Sequence, residues 1–299
     1  MRLLKNTNIN FIGKRKLAAI LSAFLIFVGV ASMIVNKGLA LSIDFTGGTI
    51  VQLKFTDEIT TGEARQILND FGIENLDITT ISSPGSHDDI LIKSQLSGSD
   101  LRDQLSSAFS NRSFETRRTE QVGPKIGSEL RNDAIQSITV ALALILMYIG
   151  FRFDFYYAIG SVVALIHDIL ITLGVFALFQ LEVDLVTVAA FLTIVGYSLN
   201  DTIVVFDRIR ENIKLNAREK LEDTVNRSLN STLSRTLITS LTTMLVVLIL
   251  FIGGLETIKD FAFAMIIGIV VGTYSSIFIA SPVMILLENR AGRKIVKKK

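Results

Sequence analysis

The stretch GYSLNDTIVVFDR, residues 196–208, decides the fold. Its first half continues an apolar run that starts near residue 185, its second half ends at Asp207 and Arg208, and a single carboxylate, Asp201, lies inside the run. A run of about 20 apolar residues is what a helix needs to cross roughly 30 Å of hydrocarbon. An ionised side chain within it costs about 2.5–3.5 kcal/mol even on the lenient insertion scale, so such a residue is normally functional or paired. The stretch therefore predicts a membrane-spanning helix that carries an acid for a reason.

Working outward, five more runs of similar length accompany it, giving predicted spans at 17–35, 132–151, 156–179, 185–206, 233–252 and 261–287. The chain is 49% hydrophobic and only 19% charged, the composition of a polytopic α-helical membrane protein. The first run follows Lys14, Arg15 and Lys16 as a signal peptide would, but its apolar core is too long and no small-x-small cleavage site follows, so an uncleaved helix is expected. Basic residues gather in 1–16, in 207–232 and in the tail 288–299, whereas the short connections 180–184 and 253–260 contain only Lys259. With six spans the positive-inside rule puts both termini in the cytoplasm. In the connector 207–232, Leu221, Val225, Leu229 and Leu233 recur every four residues, which suggests an amphipathic helix on the membrane surface; a solvated charged connector is the alternative.

Residues 36–131 form a polar stretch too long for a loop, expected on the outer side. IDFTGGTIVQLKF alternates like a strand, with Gly47 and Gly48 marking a bulge or a close backbone approach. TTGEARQILNDFG opens with a Thr cap and stops at Gly72; LDITTIS and DDILIKSQL read as strands around the turn SSPGSHD; SGSDLRDQLSSAF is a second capped helix and SFETRRTEQV a last strand. The order βαββαβ is that of a small α+β ferredoxin-like domain. It has no phosphate loop, no Ser/His/Asp set and no acidic metal loop, so it reads as a binding or mechanical module. A net charge of +2 gives no sign of a nucleic-acid partner, the absence of Cys excludes disulfides and thiolate metal sites, and two histidines, His87 and His167, make a metal cage unexpected. No cofactor is expected.

Four ionisable residues fall inside predicted spans: Asp201, Arg235, His167 and Asp168. Asp201 leaves the membrane at nearly the depth where Arg235 enters it on the next span, so the two can pair. Arg235 favours the ionised acid and desolvation the neutral one, a balance that suits a proton carrier; a structural salt bridge is the alternative. Tyr197, one turn before Asp201, adjacent Asn200, and Thr236 and Thr239 after Arg235 would line a polar cleft, with Ser240, Thr242 and Thr243 beyond. His167 and Asp168 lie near the middle of the third span about 100° apart on the helix, and need not touch. They are either a second relay station or a polar clamp. Gly268 and Gly272 form a GxxxG, read as close helix packing.

GYSLNDTIVVFDRIREN and LSRTLITSLTT, with VVALIHDIL in the third span and IDFTGGTIVQLKF outside, resemble the SecD/SecF family over nearly the whole chain. The resemblance implies a half-transporter of the resistance-nodulation-division type in the bacterial cytoplasmic membrane. It implies pairing with SecD and work beside SecYEG, SecA and YajC on a preprotein, driven by the proton motive force rather than by enzymatic chemistry. By motif it makes Asp201 the protonatable carboxyl and Arg235 its basic partner, with Asp168 a weaker carry-over. Two other classes compete. A proton-linked exporter of small molecules or lipids would need a larger outer domain with an apolar cavity. An intramembrane aspartyl protease would need Asp168 and Asp201 face to face at one depth, where Arg235 disfavours a shared proton.

Overall fold

The computed structural model describes residues 7–73, 76–81, 89–216, 218–253 and 256–291. The expected turn at 82–88 with His87, Lys5 and the tail from 292 lie outside the described residues. In chain order, besides shorter helices and strands, the elements are α1 (Arg15–Val35), β1 (Gly48–Phe55), α2 (Thr61–Asp70), β2 (Asp77–Ile81), β3 (Asp89–Ser94), α3 (Gly98–Ala108), β4 (Phe114–Val122), α4 (Pro124–Arg152), α5 (Phe155–Phe179), α6 (Leu185–Leu215), α7 (Leu221–Gly253) and α8 (Glu256–Ser275). A π-helical turn, Ser276–Ala280, joins α8 to α9 (Ser281–Arg290). Among the described residues six helical stretches are long and apolar enough to cross a membrane: α1, α4, α5, α6, α7 and the continuous run α8 to α9.

The chain divides into two units, a helical one (Met1–Ala40 with Ser137–Lys299) and an α/β one (Leu41–Gln136). In the α/β unit the strand order is β2-β3-β1-β4, with every neighbouring pair antiparallel. That is the ferredoxin-like arrangement the βαββαβ order predicts. On β1 the side chains of Val51, Leu53 and Phe55 are buried, and with Leu68, Leu101, Leu105 and Phe109 of the helical layer they make one core. The helices start where their caps dictate. Thr60 and Glu63 form a reciprocal capping box at α2, and the Ser97 hydroxyl accepts from Asp100 N at α3.

The Gly47–Gly48 pair proves to be a close approach, while the bulge of β1 falls later, between Gln52 and Leu53. Gly47 has φ +73° and a Cβ there would sit 2.8 Å from Pro124 Cα; Gly48 has φ +141° and its Cβ would meet Ser94 O at 2.7 Å. No L side chain fits either place without strain.

In the helical unit the segment 207–232 is not a separate surface helix. Residues up to Leu215 continue α6, and α7 begins at Leu221 and runs on through Arg235. The apolar row that suggested a surface helix is buried against protein, since Val225, Leu229 and Leu233 belong to the core of the helical unit and Leu221 packs on it. Asn212 Nδ2 donates to Ser228 Oγ at 2.8 Å, and Arg152 grips Asp207 at 2.5 Å. The chain before α1 is strapped to α7: Asn226 Oδ1 accepts from Phe11 N at 2.8 Å, and Asn230 bonds Ile9 N and Ile9 O, each at 2.8 Å. Pro282, which has no N–H to return to the preceding turn, explains why α8 loosens into a π turn at Ser276–Ala280.

Candidate functional site

Two glycine contacts bring the helices around α5 close enough for small polar side chains to meet. Gly29 of α1 and Gly174 of α5 touch backbone to backbone, so a Cβ on either would lie 2.7 Å from the other's Cα. Gly272 of α8 faces Ser198 of α6, whose Cβ is 3.0 Å from where a Cβ on Gly272 would be, and Gly268 receives Ile194 in the same way. The GxxxG is thus a packing feature, and it delivers Ser275, one turn beyond Gly272, to the same place as Ser198.

Asp168 is the centre of what assembles there. Its carboxyl is 1% exposed and takes three contacts: His167 Nδ1 at 2.9 Å from Oδ1, and the hydroxyls of Ser198 and Ser275 donating to Oδ2 at 2.5 and 2.7 Å. His167, 5% exposed, places Nε2 2.9 Å from Ser22 Oγ on α1. Ser22 Oγ lies 3.1 Å from the Tyr274 hydroxyl, which donates to Ala18 O at 2.8 Å, and the Tyr274 ring stacks on the imidazole with centroids 5.9 Å apart. His167 and Asp168 therefore do touch, although adjacent on the helix, because both side chains turn toward the hydroxyls offered by α1, α6 and α8. Ser22, Ser198, Ser275 and Tyr274 were missed by sequence reasoning. Ser198, one turn before Asp201, and Ser275, one turn after Gly272, carried a faint positional signal; Ser22 carried none.

Asp201, one turn along α6 from Ser198, is 3% exposed, and its Oδ2 is buried without a hydrogen-bond partner. The α7 groups that act on it are the Arg235 guanidinium and the Ser240 hydroxyl. Arg235 is exposed, and among the described residues it makes no contact ion pair with Asp201. Tyr197 Oη and Thr236 Oγ1 are also buried without partners. The rest of the expected cleft is not assembled. Asn200 is exposed, about 100° around α6 from its neighbour, and the hydroxyls of Thr239, Thr242 and Thr243 bond carbonyls of their own helix. Among the described residues Asp168 and Asp201 share no hydrogen bond.

Fold and site together define a multi-pass membrane protein of transport type, with acids buried among its spans and an α+β unit inserted after the first. Residues 102–290 match the C-terminal region of the protein export membrane proteins SecD/SecF, and residues 32–59, around Gly47 and Gly48, match the SecD/SecF GG motif. The protein translocase subunit SecF of Magnetococcus marinus is 43% identical over 98% of this chain and 96% of its own, and that of Calditerrivibrio nitroreducens 46% identical over 97% of each. Crystal SecDF, a translocon-associated membrane protein from Thermus thermophilus, superposes with a TM-score of 0.87 at 38% identity over 95% of this chain; this chain spans 39% of that one. The chain belongs to the SecD/SecF family of protein export membrane proteins.

Proposed function

We propose that this chain is the half of a proton-driven export machine that carries the coupling acid, with Asp201 as the group that takes up and releases the proton. The observation that carries the reading is the carboxyl itself: 3% exposed on a membrane-spanning helix, with Oδ2 unpaired and with Arg235 of α7 acting on it through space without an ion-pair contact. An acid held in a permanent ion pair is structural. One whose partner can approach or withdraw has two states of different charge, each suited to a different helix arrangement. One charge moving through about 100 mV supplies roughly 2.3 kcal/mol, enough to bias such a rearrangement without a nucleotide.

SecD is the partner that the family implies, and the exposed Arg235 and Asn200, rather than the already buried Tyr197 Oη, Thr236 Oγ1 and Asp201 Oδ2, are the groups near Asp201 that it would meet. Work beside SecYEG, SecA and YajC on an emerging preprotein, with both termini cytoplasmic and the α/β unit outside, follows from the family and from the distribution of Lys and Arg. The exporter reading is disfavoured by the α/β unit, whose interior is filled by its own apolar side chains.

The test is completion of preprotein translocation in vesicles containing this chain and its SecD partner, with and without a proton gradient. Wild type should respond to the gradient and Asp201→Asn should not; a mutant that still responds makes Asp201 structural. Arg235→Lys keeps the charge but loses the planar fork, and should impair coupling more than it impairs assembly. Full coupling in Arg235→Lys would show that only a positive charge is needed.

A further inference from the structure

We propose that the His167–Asp168 pair stores one proton, and that Ser22 on α1 reads whether the proton is there by turning its hydroxyl between Tyr274 and His167. This deepens the proton-coupled reading and rests on it only for the source of the proton. Counting donors places the hydrogens. Tyr274 has one O–H, and it goes to Ala18 O, a carbonyl that can only accept. The 3.1 Å contact between Tyr274 and Ser22 must then use the Ser22 hydrogen. With that hydrogen committed, Ser22 Oγ can only accept in its 2.9 Å contact with His167, so Nε2 carries a hydrogen.

The far side of the imidazole completes the count. Ser198 donates to Asp168 Oδ2, and Ser275 divides its one hydrogen between that oxygen and Gly272 O; with Nε2 holding the hydrogen of the imidazole, the 2.9 Å contact between Asp168 Oδ1 and His167 Nδ1 needs a further hydrogen, since two lone pairs would otherwise face each other. Whichever atom holds it, as carboxylate with imidazolium or as acid with imidazole, the pair has no net charge and one proton to give. Among the described residues no Lys or Arg bonds to it. The titratable group in contact with it is Tyr274 of α8; on α6 the next titratable residue is Asp201, one turn past Ser198, and among the described residues α1 contacts it through the Ser22 hydroxyl.

When a water molecule takes that proton, Asp168 is left a carboxylate facing a bare Nδ1, an arrangement of two lone pairs. The imidazole relieves it by shifting its one remaining hydrogen from Nε2 to Nδ1. Nε2 then needs a donor, and Ser22 supplies it by swinging its O–H away from Tyr274. One proton leaves, one tautomer changes, and one hydrogen bond moves from Tyr274 to His167. The change registers on α1, the helix that continues in sequence into the α/β unit, and on Tyr274, next to Ser275, the residue that precedes the π turn. A π turn is a common place for a helix to adjust its register at a functional site.

The chain has only two histidines, so nitrogen-15 magnetic resonance of histidine-labelled full-length protein in bilayers, in a His87→Gln background, isolates His167. Wild type should show Nε2 protonated at low pH and switch to the Nδ1–H tautomer as pH rises. Tyr274→Phe keeps the stacked ring but removes the acceptor that holds the Ser22 hydrogen, so it should shift the balance toward Nδ1–H by roughly fivefold to tenfold at a given pH. A wild-type imidazole already in the Nδ1–H form at low pH, or a balance unmoved by Tyr274→Phe, overturns the proposal. The wild-type titration needs no variant. Repeating it in Asp201→Asn separates the two readings, because the switch at His167 persists there whether or not Asp201 proves to be the coupling acid; its loss in Asp201→Asn would also overturn a separate proton store.

Discussion

Asp168 and Asp201 are both buried carboxyls on membrane-spanning helices, and their surroundings differ in a way that sets what truncation does. Asp168 accepts from two serines at one oxygen and shares a hydrogen with His167 at the other, so an Ala there leaves two hydroxyls and the imidazole without their partner. Asp168→Ala should therefore lower stability by about 1–3 kcal/mol, the range for buried polar groups left unsatisfied. Asp201→Ala, at a carboxyl whose Oδ2 has no partner to lose, should change it much less. Thermal unfolding of the two variants in the same lipid checks the order, and equal losses would mean that Asp201 is bonded as firmly as Asp168. The acids and Arg235 were legible in the sequence because charge in an apolar run is conspicuous and costly. Ser22, Ser198, Ser275 and Tyr274 were not. A lone hydroxyl on an apolar helix is commonplace, and only the packing of α1, α6 and α8 on α5 tells which hydroxyl meets a carboxyl.

At the scale of the element, α1 and α5 run side by side in the same direction. Ser22 meets His167, two turns further along both helices Gly29 meets Gly174, and beyond that Asn36 Nδ2 donates to Ala177 O at 2.9 Å. The glycine contact sets the spacing at which the Ser22–His167 bond forms. Gly174→Ala puts a methyl 2.7 Å from the Gly29 backbone, which cannot move aside as a side chain tip would. It should cost about 1–3 kcal/mol and lengthen the Ser22–His167 contact, detectable as a change at His167 Nε2 in the nitrogen-15 spectrum. An unchanged spectrum would mean that the helices separate elsewhere. The number and order of the spans were readable because runs of about 20 apolar residues match the thickness of a bilayer and exceed what a buried core helix uses. Their true ends were not. Helices α6 and α7 pass beyond the apolar runs without a break, since the charged stretches at 207–215 and 221–232 still pair and pack along one face, through Arg152–Asp207 and Asn212–Ser228.

For the molecule as a whole, the two units have separate cores: among the described residues no side chain belongs both to the cluster built on Phe206, Leu229 and Met284 and to the one built on Val51, Leu68 and Phe109. The α/β unit was legible down to its strand order because alternating strands, capped helices and their βαββαβ sequence admit few topologies. Separate cores predict separate unfolding, for which a single two-state transition is the wrong description. All five tyrosines, Tyr148, Tyr156, Tyr157, Tyr197 and Tyr274, belong to the helical unit, and the chain has no tryptophan, so tyrosine fluorescence reports that unit alone. Phe109 is 1% exposed and packs edge-on to Phe55 with ring centroids 5.0 Å apart, so Phe109→Ala should destabilise the α/β unit by about 3–5 kcal/mol. Amide exchange in β1 and β3 should speed up accordingly while the tyrosine transition stays where it is. Should the tyrosine transition fall with it, the units unfold as one body. A proton bound among the helices would then reach the α/β unit through shared stability; with independent transitions, α1 and α4, the two helices that continue the chain into and out of that unit, are left to carry the signal.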